Sequence, residues 1–233
     1  MKEKHIIIPS IETFNLDNKI GEGKYGTCYR INDKEVFKKY HLVISNYEEY
    51  KQLVGIKSPS FVFPNESVYL NEYNERNFLG YLMDYIEGSK FSELPMNTDI
   101  RDLFTKIDLL EKEIRDLSME RKLSLWDLHE DNTIFTRDKK IKVLDTDLYM
   151  FEYYDLIENY KNNIKELGLF LLGFFLKDYP ILNDKLREYY DLCIHNGKVK
   201  PSIILFEALE EMEKESKEKI VTFNDFCRVK RLF

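Results

Sequence analysis

Trp126-Asp127-Leu128-His129-Glu130-Asp131-Asn132-Thr133-Ile134-Phe135, followed closely by Ile141-Lys142-Val143-Leu144-Asp145, is the stretch whose reading decides the fold. It spells a polar loop bearing an acid and an amide, a short apolar strand, a turn, and a second apolar strand that ends in an acid. Asp127 precedes Asn132 by five positions and Asp145 by eighteen. Carboxylate and amide oxygens are hard donors of the kind a small divalent cation takes, and a carboxylate held near a hydroxyl can accept its proton. The bland alternative is an acid-rich solvated turn, so the remaining chain has to supply the context.

That context begins upstream. Residues 20–31, Ile-Gly-Glu-Gly-Lys-Tyr-Gly-Thr-Cys-Tyr-Arg-Ile, contain a G-x-G-x-x-G between strand formers. Glycines there let backbone come close to phosphates without steric conflict. A dinucleotide-binding fold requires a helix next. This chain instead continues as strand (27–31), turn (32–34) and strand (35–40). Alternation along the last strand puts Val36 and Lys38 on one face and turns Lys39 the other way. Residues 45–56 carry a helical pattern in which Glu49 lies on the side of Leu53 and Ile56. Two further strands are read at 61–71 and 76–86. A long amphipathic helix at 98–121 follows, with Leu103, Ile107, Leu110, Ile114 and Leu117 on its apolar stripe.

Taken together, these pieces resemble the protein-kinase-like superfamily, whose pattern is a glycine loop, a strand lysine, D-x-x-x-x-N and a downstream metal-binding Asp. The closest likeness is to compact, bacterial-type Ser/Thr protein kinases with a truncated activation segment. The resemblance implies an α+β, bilobal protein-kinase-like fold: a small antiparallel-sheet N-lobe with one helix over residues 1–87, and a mainly helical C-lobe over 88–233, forming one kinase domain. It implies Asp127 as catalytic base, Lys38 paired with Glu49, and His129 near the γ-phosphate. Asn132 and Asp145 become Mg²⁺ ligands. Gly21, Gly23 and Gly26 become the cover of an ATP site that Cys28, Val36, Met83, Asp84, Ile86 and Ile134 complete with Lys38.

The departures from the pattern matter as much. Leu125-Trp126-Asp127 stands where H-R-D is expected, so the arginine that grips an activation-loop phosphate is missing. Asp145-Thr146-Asp147 replaces D-F-G; Asp147 either adds a second carboxylate near the metal or caps a turn. Asn163 replaces the aspartate usual in the following helix. The aromatic run at 149–154 is expected to pack into the core. D-L-H and D-T-D favour a small-molecule kinase of the aminoglycoside or choline type, although no substrate-lobe insertion is present. A pseudokinase that binds nucleotide or a partner without turnover is the reading outside enzymes.

Composition bounds these options. The chain has 233 residues, 43% hydrophobic and 14% aromatic, enough for a packed core in one domain of two lobes or in two small domains. A net charge of −7 argues against a nucleic-acid partner; the resemblance implies a protein substrate. Cys28, Cys193 and Cys227 are scattered and odd in number, with neither a disulfide framework nor zinc spacing. The start has too short an apolar run for a signal peptide, and the apolar run at 167–176 is about half a membrane span. The expectation is a cytoplasmic protein without membrane association, or one delivered into a host cell if it is an effector.

Overall fold

The computed structural model describes residues 4–41, 47–181 and 183–233. The class is α+β. The chain forms two compact units, Met1–Glu87 with Leu144–Met150, and Gly88–Val143 with Phe151–Phe233. A short segment after the second motif strand therefore belongs with the first unit and not, as the sequence suggested, with the second.

Among the described residues, the first unit is built on six strands: β1 (His5–Ile8), β2 (Lys19–Glu22), β3 (Gly26–Arg30), β4 (Glu35–Tyr40), β5 (Glu66–Leu70) and β6 (Phe78–Asp84), in the order β1-β5-β6-β4-β3-β2. All neighbours are antiparallel except β1, which runs parallel to β5 with Ile6 opposite Val68 and Ile8 opposite Leu70. The expected antiparallel sheet is thus corrected to a mixed one. With β1 at one edge and β2 at the other, residues 9–18 cross the sheet, and Ile11, Phe14 and Leu16 pack over Phe37, Val68 and Leu82. That crossing buries one face.

Helix α1 (Tyr47–Leu53) contributes to the opposite face. Tyr50 joins Val36, Tyr40, Val54, Val62, Tyr81 and Met83 in a second cluster, flanked by Cys28, Ile86 and Leu144. Ser45, where the helical pattern of the sequence begins, lies outside the described residues. Gly80 in β6 has φ +149°, and a Cβ there would run into the Lys38 carbonyl, so the close β4–β6 approach demands glycine.

In the second unit, β7 (Gly88–Lys90), β9 (Thr133–Thr136) and β10 (Ile141–Val143) form an antiparallel sheet in the order β10-β9-β7, and β8 (Leu123–Ser124) leads into the Asp127 loop. Helix α2 (Ile100–Met119) is capped by Asp99, which accepts from the Asp102 N–H at 2.9 Å. Its apolar stripe is buried as the periodicity requires. Helices α3 (Leu156–Phe175), α4 (Asp184–Asn196), α5 (Pro201–Ser216) and α6 (Phe223–Lys230) complete the unit around Phe104, Phe175 and Phe226, packed edge to face. The aromatic run divides: Tyr149 is buried, but Tyr153 is exposed and Tyr154 is 97% exposed. Being at the surface, they correct the expectation of core packing. Among the described residues, no helix is long and apolar enough to cross a membrane.

Candidate active site

Strand register assembles the candidate residues of the first unit. The β3–β4 pairing sets Cys28 opposite Lys38, and β4–β6 sets Val36 opposite Met83 and Lys38 opposite Tyr81. Cys28, Val36, Lys38, Tyr81 and Met83 thereby share one face. Lys38 is only 5% exposed, and its ammonium has carboxylate partners. It donates to Asp145 and to both oxygens of Asp147, at 3.0 and 3.1 Å. Tyr40 and Tyr81 hydroxyls also donate to Asp147, the latter at 2.9 Å. Thr146 between the two acids donates to Val62 O at 2.8 Å and fixes the segment to the same unit.

The electrostatics follow from that crowding. Burial pulls the Lys38 pKa down, but Asp147 and then Asp145 more than offset it and hold the ammonium above its usual range. Burial alone would raise Asp147; the Lys38 charge and the tyrosine donors keep it below the usual carboxylate range. Asp145 goes the other way, raised by burial and the neighbouring Asp147 against the pull of Lys38. Burial pushes the Cys28 thiol up to about 11, so it is a neutral neighbour of the lysine.

Glu49 does not meet Lys38. Helix α1 buries Tyr47, Tyr50 and Leu53, and Glu49 is exposed. The expected Lys38–Glu49 pair is corrected to Lys38 with Asp145 and Asp147. A bulky tyrosine, not the glutamate, wins the inward position.

The glycine loop is a hairpin turn in which the Gly23 N–H donates to Gly26 O at 2.9 Å. A Cβ on Gly26 would stand 2.5 Å from Lys39 O, whereas one on Gly23 would meet nothing within 4 Å. Gly26 is needed for strand packing; Gly23 is exposed at the open tip. Gly21 would tolerate a Cβ, at 4.0 Å from Cys28 Cβ. Asp84 ends β6 exposed and accepts from Asn65 at 2.7 Å, while Ile86 packs on the Val36 cluster.

The second unit carries the Asp127 loop. Asn163 of α3 is buried beneath it: the Leu125 N–H donates to Asn163 Oδ1, and Asn163 Nδ2 donates to Leu123 O and Ser118 Oγ, each at 2.8 Å. Asn159 Nδ2 adds a bond to Leu123 O at 3.0 Å. The chain then turns at Asp127, whose φ of 60° is the left-handed conformation that aspartate tolerates better than most residues. Asn132 Nδ2 reaches back to Asp127 O and Oδ2, both at 3.2 Å. His129 Nδ1 accepts from the Asp131 N–H at 3.2 Å, which leaves the ring proton on Nε2, 3.6 Å from Asp127 Oδ1. Lys90 pairs with Asp131 at 3.2 Å and Phe91 N–H donates to Glu130 O, tying the loop to the β7 end. Asp127 itself is half exposed. Ile134 is buried in β9.

Asn132 in the second unit carries an amide oxygen and Asp145 in the first a carboxylate, each a hard donor of the kind a small divalent cation takes. Among the described residues, no group of three or more His, Cys, Asp or Glu side chains is arranged as a metal site. The sequence missed the Asp147 anchor and its two tyrosines, although Tyr40 stands two positions after Lys38 on the same strand face. No protein-family model and no curated protein matches the chain.

Proposed function

We propose that the protein is an ATP- and Mg²⁺-dependent phosphotransferase of bilobal, protein-kinase-like fold, acting on Ser or Thr hydroxyls of a protein substrate. The observation that carries this reading is the Lys38–Asp145 ion pair. It joins two motifs picked out separately in the sequence, 107 positions apart. In the proposed reaction Lys38 orients the phosphates of ATP, Asn132 and Asp145 would hold Mg²⁺, and Mg²⁺ would neutralise phosphate charge. Asp127 accepts the proton of the acceptor hydroxyl as that oxygen bonds the γ-phosphorus, and ADP leaves. The His129 Nε2–H facing Asp127 helps to orient the carboxylate. The Gly23 tip, with open space around it, suits a backbone that covers phosphates.

The test is incubation of the purified protein with γ-labelled ATP and Mg²⁺, alone and with a cell lysate, beside an Asp127→Ala control. Label on lysate proteins that disappears in the control supports the reading. Label confined to small molecules moves the acceptor to the aminoglycoside or choline class, which D-L-H and D-T-D favour. Absence of label overturns phosphotransfer and leaves a nucleotide- or partner-binding role.

A further inference from the structure

Resting on the phosphotransferase reading, we propose that Asp147 is the positioning residue of Lys38, in the part that the resemblance gave to a glutamate on the neighbouring helix. An ionised carboxylate has about four lone-pair sites, and Asp147 uses them on Lys38 twice, Tyr40 once and Tyr81 once. Its side chain has no exposure. It therefore has no lone pair left for a metal, and a second metal carboxylate is excluded as its role. It is also more than a turn cap, because three of its partners come from the sheet.

Helix α1 presents a ring where an acid was expected. Tyr50 packs 6.4 Å from Tyr40 and 5.9 Å from Tyr81, centroid to centroid, on the same cluster that surrounds Lys38. One intervening residue, Thr146, held on Val62, lets Asp145 and Asp147 both reach the ammonium. The segment that supplies Asp145 thus also sets the lysine. Displacing α1 would leave the Lys38 pairs with Asp145 and Asp147 in place, and nucleotide affinity is insensitive to Glu49.

Calorimetric titration with Mg·ATP and urea unfolding of Glu49→Ala, Asp147→Asn, Lys38→Met and the Lys38→Met/Asp147→Asn double variant test this. Expected are affinity within about twofold of wild type for Glu49→Ala, a loss of about tenfold or more for Asp147→Asn, and no further loss when Asp147→Asn is added to Lys38→Met. A loss in Glu49→Ala equal to that in Lys38→Met overturns the proposal, as does an additive loss in the double variant. If Asp147→Asn does not fold, the Glu49→Ala result still decides. Failure of the wild type to bind Mg·ATP overturns the phosphotransferase reading instead; strong coupling between Lys38 and Asp147 in unfolding would then still establish the pairing without its use.

Discussion

Lys38 and Asp147, 109 positions apart, meet through both carboxylate oxygens in an environment closed to solvent. Burying such a pair is favourable only when the remaining hydrogen-bonding capacity is also met, and Tyr40 and Tyr81 meet it. Tyr81→Phe removes one neutral donor to a buried charge while leaving the ring and the ion pair. The expected destabilisation is about 1.5–3 kcal/mol, read as a shift in urea midpoint at unchanged slope. A shift near zero would mean that the hydroxyl contributes nothing to holding Asp147.

Glu111 is the other buried acid with a consequence for stability. It accepts from the Ser202 N–H at 2.7 Å and the Ser202 hydroxyl at 2.6 Å, below the start of α5, with Lys200 3.7 Å away. Burial, against those two bonds, raises its pKa from 4.5 to about 7. Between these values the folded state binds more protons than the unfolded state, so this group's contribution to stability falls as pH rises from about 4.5 to 7 and is level above. Glu111→Gln removes the titration and keeps an acceptor for Ser202. Its stability relative to wild type should improve by up to about 3 kcal/mol between pH 4.5 and 8. Parallel pH profiles of the two proteins would refute this.

Asn163 is specified by its donors as well as its acceptor. In Asn163→Asp, one oxygen can still accept from the Leu125 N–H, but the other faces the Leu123 carbonyl and the Ser118 oxygen, which Asn163 now satisfies. Ser118 cannot turn its hydrogen without leaving Ile114 O, to which it donates at 2.6 Å. Destabilisation of about 2 kcal/mol or more at pH 7 is expected, smaller in acid where the new carboxyl is protonated. Thermal unfolding at two pH values checks both magnitude and sign.

The glycine motif should divide into two kinds. Gly26→Ala forces a methyl against Lys39 O and should lower stability by at least about 1 kcal/mol. Gly23→Ala, at the open tip, should stay within about 0.5 kcal/mol of wild type. Equal stability losses would remove the distinction between a packing glycine and a free one.

The sequence was informative where pattern and structure share a local cause. The β3–β4 hairpin, the β9–β10 pair and α2 fall close to where alternation and 3.6-residue periodicity put them, because each is encoded by its own side chains. Non-local choices were hidden. Three isoleucines at 6–8 could not announce a parallel partner at Val68. Glu49 and Tyr50 are adjacent on a short helix, and which one turns inward depends on Tyr40, Phe78 and Tyr81 from distant strands. Asp147 looked like a substituted glycine because its counter-charge lies more than a hundred residues earlier. Tyr153 and Tyr154 stand in an aromatic run with no periodicity, and composition alone carries no direction.

Because the first unit is discontinuous, Met1–Glu87 with Leu144–Met150, its biosynthesis has an order. As the chain leaves the ribosome, all six strands and Lys38 emerge before Asp145 and Asp147 exist. Until then the sheet can close only over an uncompensated ammonium, a severe penalty for a buried charge. A fragment ending at Glu87 should therefore remain loosely packed however complete its strands. The nascent chain would keep the sheet open to chaperones until residue 147 appears, and only then would the first unit close.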